Sequence, residues 1–195
     1  MTTAAIILAA GASHRMGRNK MLLRIDGESL VRRAVSRAVS ADFAPTVVVV
    51  GHESDKVRTE LSGLPCSFVT NPDYTGPTSE SLHRGLEAIP GAVDATVVVL
   101  ADMPFVTSGM LVAVAAAARD RQSPLAASRY GDVLAPPLFF RRSLFAELLA
   151  WHGEGCGKQV VLKHQHEAAV VEWPVEALAD IDTPEDFATM TQRAR

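Results

Sequence analysis

The sequence has little cysteine, no long hydrophobic run, no marked excess of either charge and no low-complexity stretch. Its two cysteines, Cys66 and Cys156, lie far apart and in no metal-ligand spacing. They read as ordinary reduced thiols, which excludes a disulfide framework or a cysteine zinc motif. The longest apolar runs, TVVVV (46–50) and ATVVVL (95–100), are far too short to span a bilayer. Residues 4–10 are apolar, but no basic segment precedes them and glycine and arginines follow. That argues against a secretory leader and for a cytoplasmic protein without a membrane partner. Nineteen basic and 22 acidic residues give a formal charge of −3, so no global basic field points to nucleic acid and any anion site must be local. With no linker or repeat across 195 residues, a single domain spanning 1–195 is expected.

What is present is an alternation. Four β-branched runs, AAIILAA (4–10), TVVVVG (46–51), CSFVT (66–70) and ATVVVLA (95–101), are nearly continuous in hydrophobicity. That suits parallel strands covered on both faces. Between them lie helical patterns. Residues 28–40 put Leu30, Ala34, Val35 and Ala38 on one face; 53–63 offers Ser54 as a cap and ends at Gly63. Residues 78–89 and 107–120 both open with capping hydroxyls. Beyond residue 120, two strands flank the turn YGD, followed by a helix over about 142–151, the glycine-rich loop 152–158 and a strand over 168–173. The tail DIDTPEDF (180–187) predicts a helix with Thr183 at the N-cap and Pro184 in the first turn. This order predicts an α/β fold, a three-layer α/β/α sandwich around a Rossmann-like, mostly parallel sheet with right-handed crossovers.

Chemistry concentrates at two strand ends. The first run breaks at Gly11 into ASHRMGRNK, which places Ser13, Arg15, Arg18 and Lys20 where an open α/β sheet binds ligands. The spacing is neither G-x-G-x-x-G nor that of a P-loop, since Lys20 follows Asn19 and precedes Met21. A turn with backbone donors, a serine and three cations suits a triphosphate, with Arg15 and Lys20 on the phosphates. The second site is VVVLADMPFVT (97–107), where a buried strand ends in a lone carboxylate, Asp102, facing the same crevice. A hard cation bridging phosphates takes one or two such carboxylates, and Mg²⁺ is the natural ion.

LAAGASHRMGRNK (8–20) resembles the L-A-[AG]-G-x-S-x-R-M-G-x-x-K signature of the MobA-like nucleotidyltransferase superfamily. ADMP (101–104) is similar to that family's metal-binding acidic motif and DIDTPEDF to its C-terminal motif, all in the family's order from end to end of the chain. The resemblance implies a magnesium-dependent transfer of a nucleoside monophosphate from a nucleoside triphosphate to a phosphorylated acceptor, with release of pyrophosphate. It further implies that the backbone of Leu8, Ala9, Ala10 and Gly11 lines the base and that Ala12 belongs to the same nucleotide-binding loop. Ser13, Arg15 and Lys20 hold the phosphates, and Gly76, Thr78, Ser79 and Ser81 complete the nucleoside pocket. Asp102 carries the metal, with Asp182 or Asp180 as a second carboxylate.

Ala10, where the guanylyltransferase branch has glycine, makes the loop resemble the molybdenum cofactor cytidylyltransferases. NPDYTGPTSESLHRGL (71–86) and GEGCGK (153–158) are similar to that branch's N-P-x-W-x-x-G-M-S-x-S-L-x-x-G-L and G-D-x-G-A-R. The implied substrates are CTP and molybdopterin or its metal-loaded form, with a molybdoenzyme as recipient of the product. The chain departs from the branch at Pro77, Thr78 and Glu80 in the base-side loop. On the acceptor side it departs at Ala135-Pro136-Pro137, Glu154 and Lys158. GTP, a sugar or alditol phosphate acceptor, and a non-catalytic cofactor chaperone stay open as alternatives. The histidines His152, His164 and His166 have no convincing zinc spacing among themselves. The loop 152–158 either closes over the acceptor or is a connector.

Overall fold

The computed structural model describes residues 1–155, 157–179, 181, 183 and 185–188. Three of the four apolar runs form central parallel strands: β1 (Thr3–Ala9), then, past a small hairpin, β4 (Thr46–Val50) and, later, β6 (Ala95–Leu100). The hairpin is β2 (Arg24–Ile25) and β3 (Glu28–Ser29), turning at Asp26 and Gly27, both at positive φ. CSFVT becomes β5 (Ser67–Thr70), and here the expectation of burial on both faces does not hold. β5 is an edge strand, half-exposed, because no strand among the described residues pairs with its outer side.

Among the described residues the sheet has seven strands in the order β5-β4-β1-β6-β8-β7-β9, with β7 (Leu125–Tyr130), β8 (Val133–Arg141) and β9 (Ala169–Trp173) forming the second half. β8 alone runs antiparallel, to both β6 and β7. It carries Pro136 and Pro137, which a ladder would reject for want of N–H donors. They are tolerated because the register with β7 jumps there, from Ala127 opposite Leu138 to Ser128 opposite Ala135. The stranded carbonyls are satisfied by side chains: the Tyr130 hydroxyl donates to Pro136 O at 2.9 Å and Ser128 Oγ to Pro137 O at 3.0 Å.

Alternate residues of each strand face opposite layers. Ala5, Ile7, Val48, Val50, Val97 and Val99 pack beneath helices α1 (Leu30–Ser40), α2 (Ser54–Glu60) and α4 (Ser108–Asp120). Ile6, Leu8, Val47, Val49 and Val98 pack against α3 (Thr78–Glu87), α5 (Phe145–Ala150) and α6 (Lys158–Lys163). The three-layer α/β/α sandwich expected from the sequence is the observed architecture. α3 approaches β1 closely only because residue 85 is glycine: a Cβ there would lie 2.5 Å from Ile6 Cγ2.

Caps divide between confirmation and correction. Thr107 caps α4 as expected, and Ser29, with no earlier signal, caps α1, each accepting from the N–H three residues on. Ser54 instead starts α2 as its first residue, behind Glu53 in the left-handed region, and α3 begins after Pro77 without a cap from its own segment. Thr183 Oγ1 accepts from Asp186 N–H while the Asp186 carboxylate accepts from Thr183 N–H, the reciprocal bonds of a helix start.

Candidate active site

Parallel neighbours β1 and β6 end level with each other: Leu8 lies opposite Leu100, and Ala101 N–H donates to Leu8 O at 3.1 Å. On the other side His52 N–H donates to Ala10 O at 3.0 Å, so the chain leaves β1 stitched to both neighbours as far as residue 10. Leu8, Ala9 and Ala10 are buried; Gly11 is exposed, and a Cβ on it would meet nothing within 4 Å. The backbone at Gly11 therefore faces open space at the mouth of the sheet.

From there the loop folds on itself. Ser13 adopts a left-handed φ of 55°, its carbonyl accepts from Met16 N–H at 2.9 Å, and its hydroxyl accepts from Lys20 N–H at 3.1 Å. Short 3₁₀ turns follow at His14–Met16 and Lys20–Leu22. Asn19, buried, caps the second turn through Met21 N–H and donates to His52 O at 3.1 Å. These bonds fix the loop's span and turn Lys20 inward, while Arg15 lies exposed.

Lys20 Nζ lies 2.5 Å from Asp102 Oδ2, with side-chain exposures of only 11% and 16%. The other carboxylate oxygen, Asp102 Oδ1, is buried without a hydrogen-bond partner among the described residues. Buried carboxylate oxygens are normally satisfied, and an orphan calls for a ligand. Asp102, with a hard, anionic oxygen at a strand end, fits a divalent cation held beside phosphates. The segment after it is fastened from behind: Arg37 of α1 donates to the carbonyls of Pro104, at 2.5 Å, and Val106. Burial pushes the Arg37 guanidinium down to about 10, with repulsion from Arg33 adding to it, so it stays cationic at neutral pH.

Beside the loop is a cleft of about 310 Å³ lined by Ala12, Ser13, Gly17, Arg18, His52, Tyr74 and Thr75. His52 and Tyr74 stand with ring centroids 5.8 Å apart. They were missed in the sequence, although His52 follows the C-terminal end of β4 and the rule that drew attention to Gly11 and Asp102 applies to that end too. Gly51 is what lets the walls close. A Cβ there would lie 2.5 Å from Tyr74 Cβ and 2.7 Å from Ala10 O.

The 76–81 segment is tied inward rather than displayed. Ser79 and Ser81 are buried: Ser79 Oγ accepts from Gly153 N–H at 3.0 Å, and Ser81 Oγ accepts from Asn71 Nδ2 at 3.0 Å. Thr78 donates its hydroxyl to the Glu154 carboxylate, which also accepts from Thr78 N–H. Gly76 sits in a tight turn over Asp73, whose carbonyl accepts from Gly76 N–H at 3.1 Å. The C-terminal motif reaches the opening loop through Ile181, fully buried with Met16, Leu23, Ile25 and Leu30, and through Phe187, 5.8 Å from the Arg18 guanidinium. Asp180, Asp182 and Cys156 lie outside the described residues. No helix among the described residues is long and apolar enough to cross a membrane.

Purine catabolism protein PucB of Bacillus subtilis is 28% identical over 208 residues, covering 97% of this chain and 95% of that protein. The bifunctional protein GlmU of Acaryochloris marina is 32% identical over 123 residues, covering 62% of this chain, which spans only 27% of GlmU. A probable molybdenum cofactor guanylyltransferase of Synechococcus elongatus is 40% identical over 77 residues, covering 40% of this chain and 38% of that one. Among solved structures, Rv0371c of Mycobacterium tuberculosis superposes with a TM-score of 0.86 at 22% identity, covering 98% of both chains. A nucleotidyl transferase of Methanothermobacter does so at 0.84 and 22%, covering 99% and 97%. Both establish the fold. The family model of the MobA-like NTP transferase domain matches residues 5–169, and the chain belongs to that family of nucleotidyltransferases.

Proposed function

We propose that this nucleotidyltransferase moves CMP from CTP to the phosphate of molybdopterin or its molybdenum-loaded form and releases pyrophosphate. The observation that carries the reading is Asp102, with one oxygen on Lys20 and the other buried and unsatisfied at the edge of the triphosphate-type loop. Asp102 would hold Mg²⁺, with Asp182 as second carboxylate, and the ion when bound would supply charge neutralisation on the phosphates and on the departing pyrophosphate. A relative in fold, Rv0371c, was solved in complex with manganese, which supports a divalent cation.

In this reading the chain contributes position and charge. Lys20 leaves Asp102 to reach the phosphates, joined by Arg15 and by the Ser13 turn. Backbone of Leu8 to Ala12 lines the base, within the cleft walled by His52 and Tyr74. Gly76 and Thr78 border the nucleoside, held in shape from inside by Ser79 and Ser81. The acceptor phosphate oxygen attacks the α-phosphorus; one P–O bond forms, the α–β bridge breaks, and pyrophosphate leaves with its electron pair. The attacking oxygen is ionised at neutral pH, so no strong base is required, and catalysis rests on alignment and electrostatics.

The choice of cytosine rests on Ala10. The partial match to a guanylyltransferase favours a second reading with GTP. Incubation with molybdopterin and each of the four nucleoside triphosphates, followed by product mass spectrometry, decides between them. A cytosine dinucleotide is the expected product. Pyrophosphate release by Asp102→Ala at the wild-type rate would sink the assignment of the site.

A further inference from the structure

We propose a second cation site on the opposite layer, built from Glu80 and His83 of α3 and His152 of the loop after α5, which takes a nitrogen-preferring divalent ion such as Zn²⁺. One ligand atom from each of the three lies within 4.8 Å of the others, and His152 Nδ1 is 3.7 Å from Glu80 Oε1. None of the three belongs to the Lys20–Asp102 site. The sequence concealed the cluster, because His152 is 69 positions from His83 by their residue numbers and α3 supplies its two ligands as an i, i+3 pair on one face.

His83 is the informative member. It is 8% exposed, and its Nε2 lies 3.1 Å from Leu148 O and 2.9 Å from Trp151 O. Both neighbours can only accept, so Nε2 carries the hydrogen and Nδ1 the lone pair. An imidazole whose far N–H is fixed on backbone carbonyls is the usual support for a metal-bound histidine. The His83 and His152 rings meet edge to face at 5.3 Å. Zinc bonds of about 2.0–2.1 Å require ligand atoms roughly 3.3 Å apart in a tetrahedron. Glu80 and His152, at 33% and 72% side-chain exposure, can close that difference by rotation, and water fills the fourth position. Two imidazoles and one carboxylate select zinc over magnesium, which prefers oxygen alone.

The ion would act as a latch. Ser79 N–H donates to Gly153 O at 3.1 Å, Gly153 N–H donates to Ser79 Oγ, and Thr78 bonds Glu154, so residues 152–154 already lie along the start of α3. A metal bridging Glu80, His83 and His152 closes the same seam.

The test uses chelator-stripped full-length protein without nucleotide, so its outcome is independent of the transfer reading. Zn²⁺ is titrated in competition with a chromophoric chelator, and the thermal midpoint is followed with and without Zn²⁺. Wild type should bind one Zn²⁺ and gain thermal stability. His152→Ala and Glu80→Gln, both exposed enough to leave folding intact, should each weaken Zn²⁺ binding at least ~10-fold and lose the gain. His164→Ala, which removes a histidine placed instead against Glu147 and Glu167, should behave as wild type. The proposal is overturned if wild type binds no Zn²⁺, if His152→Ala and Glu80→Gln bind as tightly as wild type, or if His164→Ala loses the binding instead.

Discussion

Lys20 and Asp102 should be strongly coupled in stability and inseparable in activity. Their charged atoms are 2.5 Å apart, and neither side chain is more than 16% exposed. At an effective dielectric of about 20, unit charges 2.5–4 Å apart attract by roughly 4–7 kcal/mol, most of it offset by desolvation. Removing one partner forfeits the attraction but keeps the desolvation of the other. Lys20→Met leaves a carboxylate whose Oδ1 has no partner, now without the ammonium on Oδ2. Each of Lys20→Met and Asp102→Asn should therefore cost about 3–5 kcal/mol. For a chain of this size that lowers the melting temperature by about 6–20 °C. The double variant should recover most of this, because the charge leaves with its counter-charge, so that it costs less than either single variant and the coupling energy by urea denaturation is about 4 kcal/mol or more. Nucleotidyl transfer, assayed by pyrophosphate release, should stay lost in all three. Single-variant costs that simply add in the double, or activity returning with stability, would refute the account of this pair.

Arg37→Met should loosen the segment behind Asp102, lowering kcat about 10-fold or more while the KM for nucleotide changes little, since among the described residues the Arg37 guanidinium bonds the carbonyls of residues 104 and 106. Gly51→Ala should cost about 1–3 kcal/mol by overpacking against Tyr74 and Ala10 O, and weaken nucleotide binding in calorimetry by deforming the cleft. The Glu147 carboxylate holds His164 above its ordinary 6.5, while Lys163 and then His164 hold Glu147 below its ordinary 4.5. The histidine's contribution is full below pH 6.5 and lost as pH rises through its raised value. That of Glu147 is full above pH 4.5 and lost as pH falls through its lowered one. His164→Ala should thus reduce stability by up to about 1 kcal/mol at pH 5.5 and by little at pH 8.5, read from urea midpoints.

The site was legible wherever chemistry sits within one short stretch. Ser13, Arg15 and Lys20 share a loop after a buried strand, and Asp102 ends another, so strand-end logic found them. His52 and Tyr74 escaped because a single aromatic after a strand or in a turn carries no spacing signal. The hydroxyls opening 78–89 read as helix caps, because a serine or threonine at a helix start usually serves there. Here Asn71 and Gly153 hold Ser81 and Ser79 inside.

By itself the sequence determined the layered α/β fold, because β-branched runs without alternation can be hidden only between two helical layers. It determined the hairpin YGD, the cap at Thr107, and the membership signalled by LAAGASHRMGRNK. Only the tertiary structure decided that β8 runs antiparallel with its prolines at a bulge, and that β5 lies at an edge. It alone brought Lys20 onto Asp102, 82 positions away by residue number, and His152 onto Glu80 and His83. Such pairings follow from strand order and crossover packing, which fix distances between residues that no local period connects.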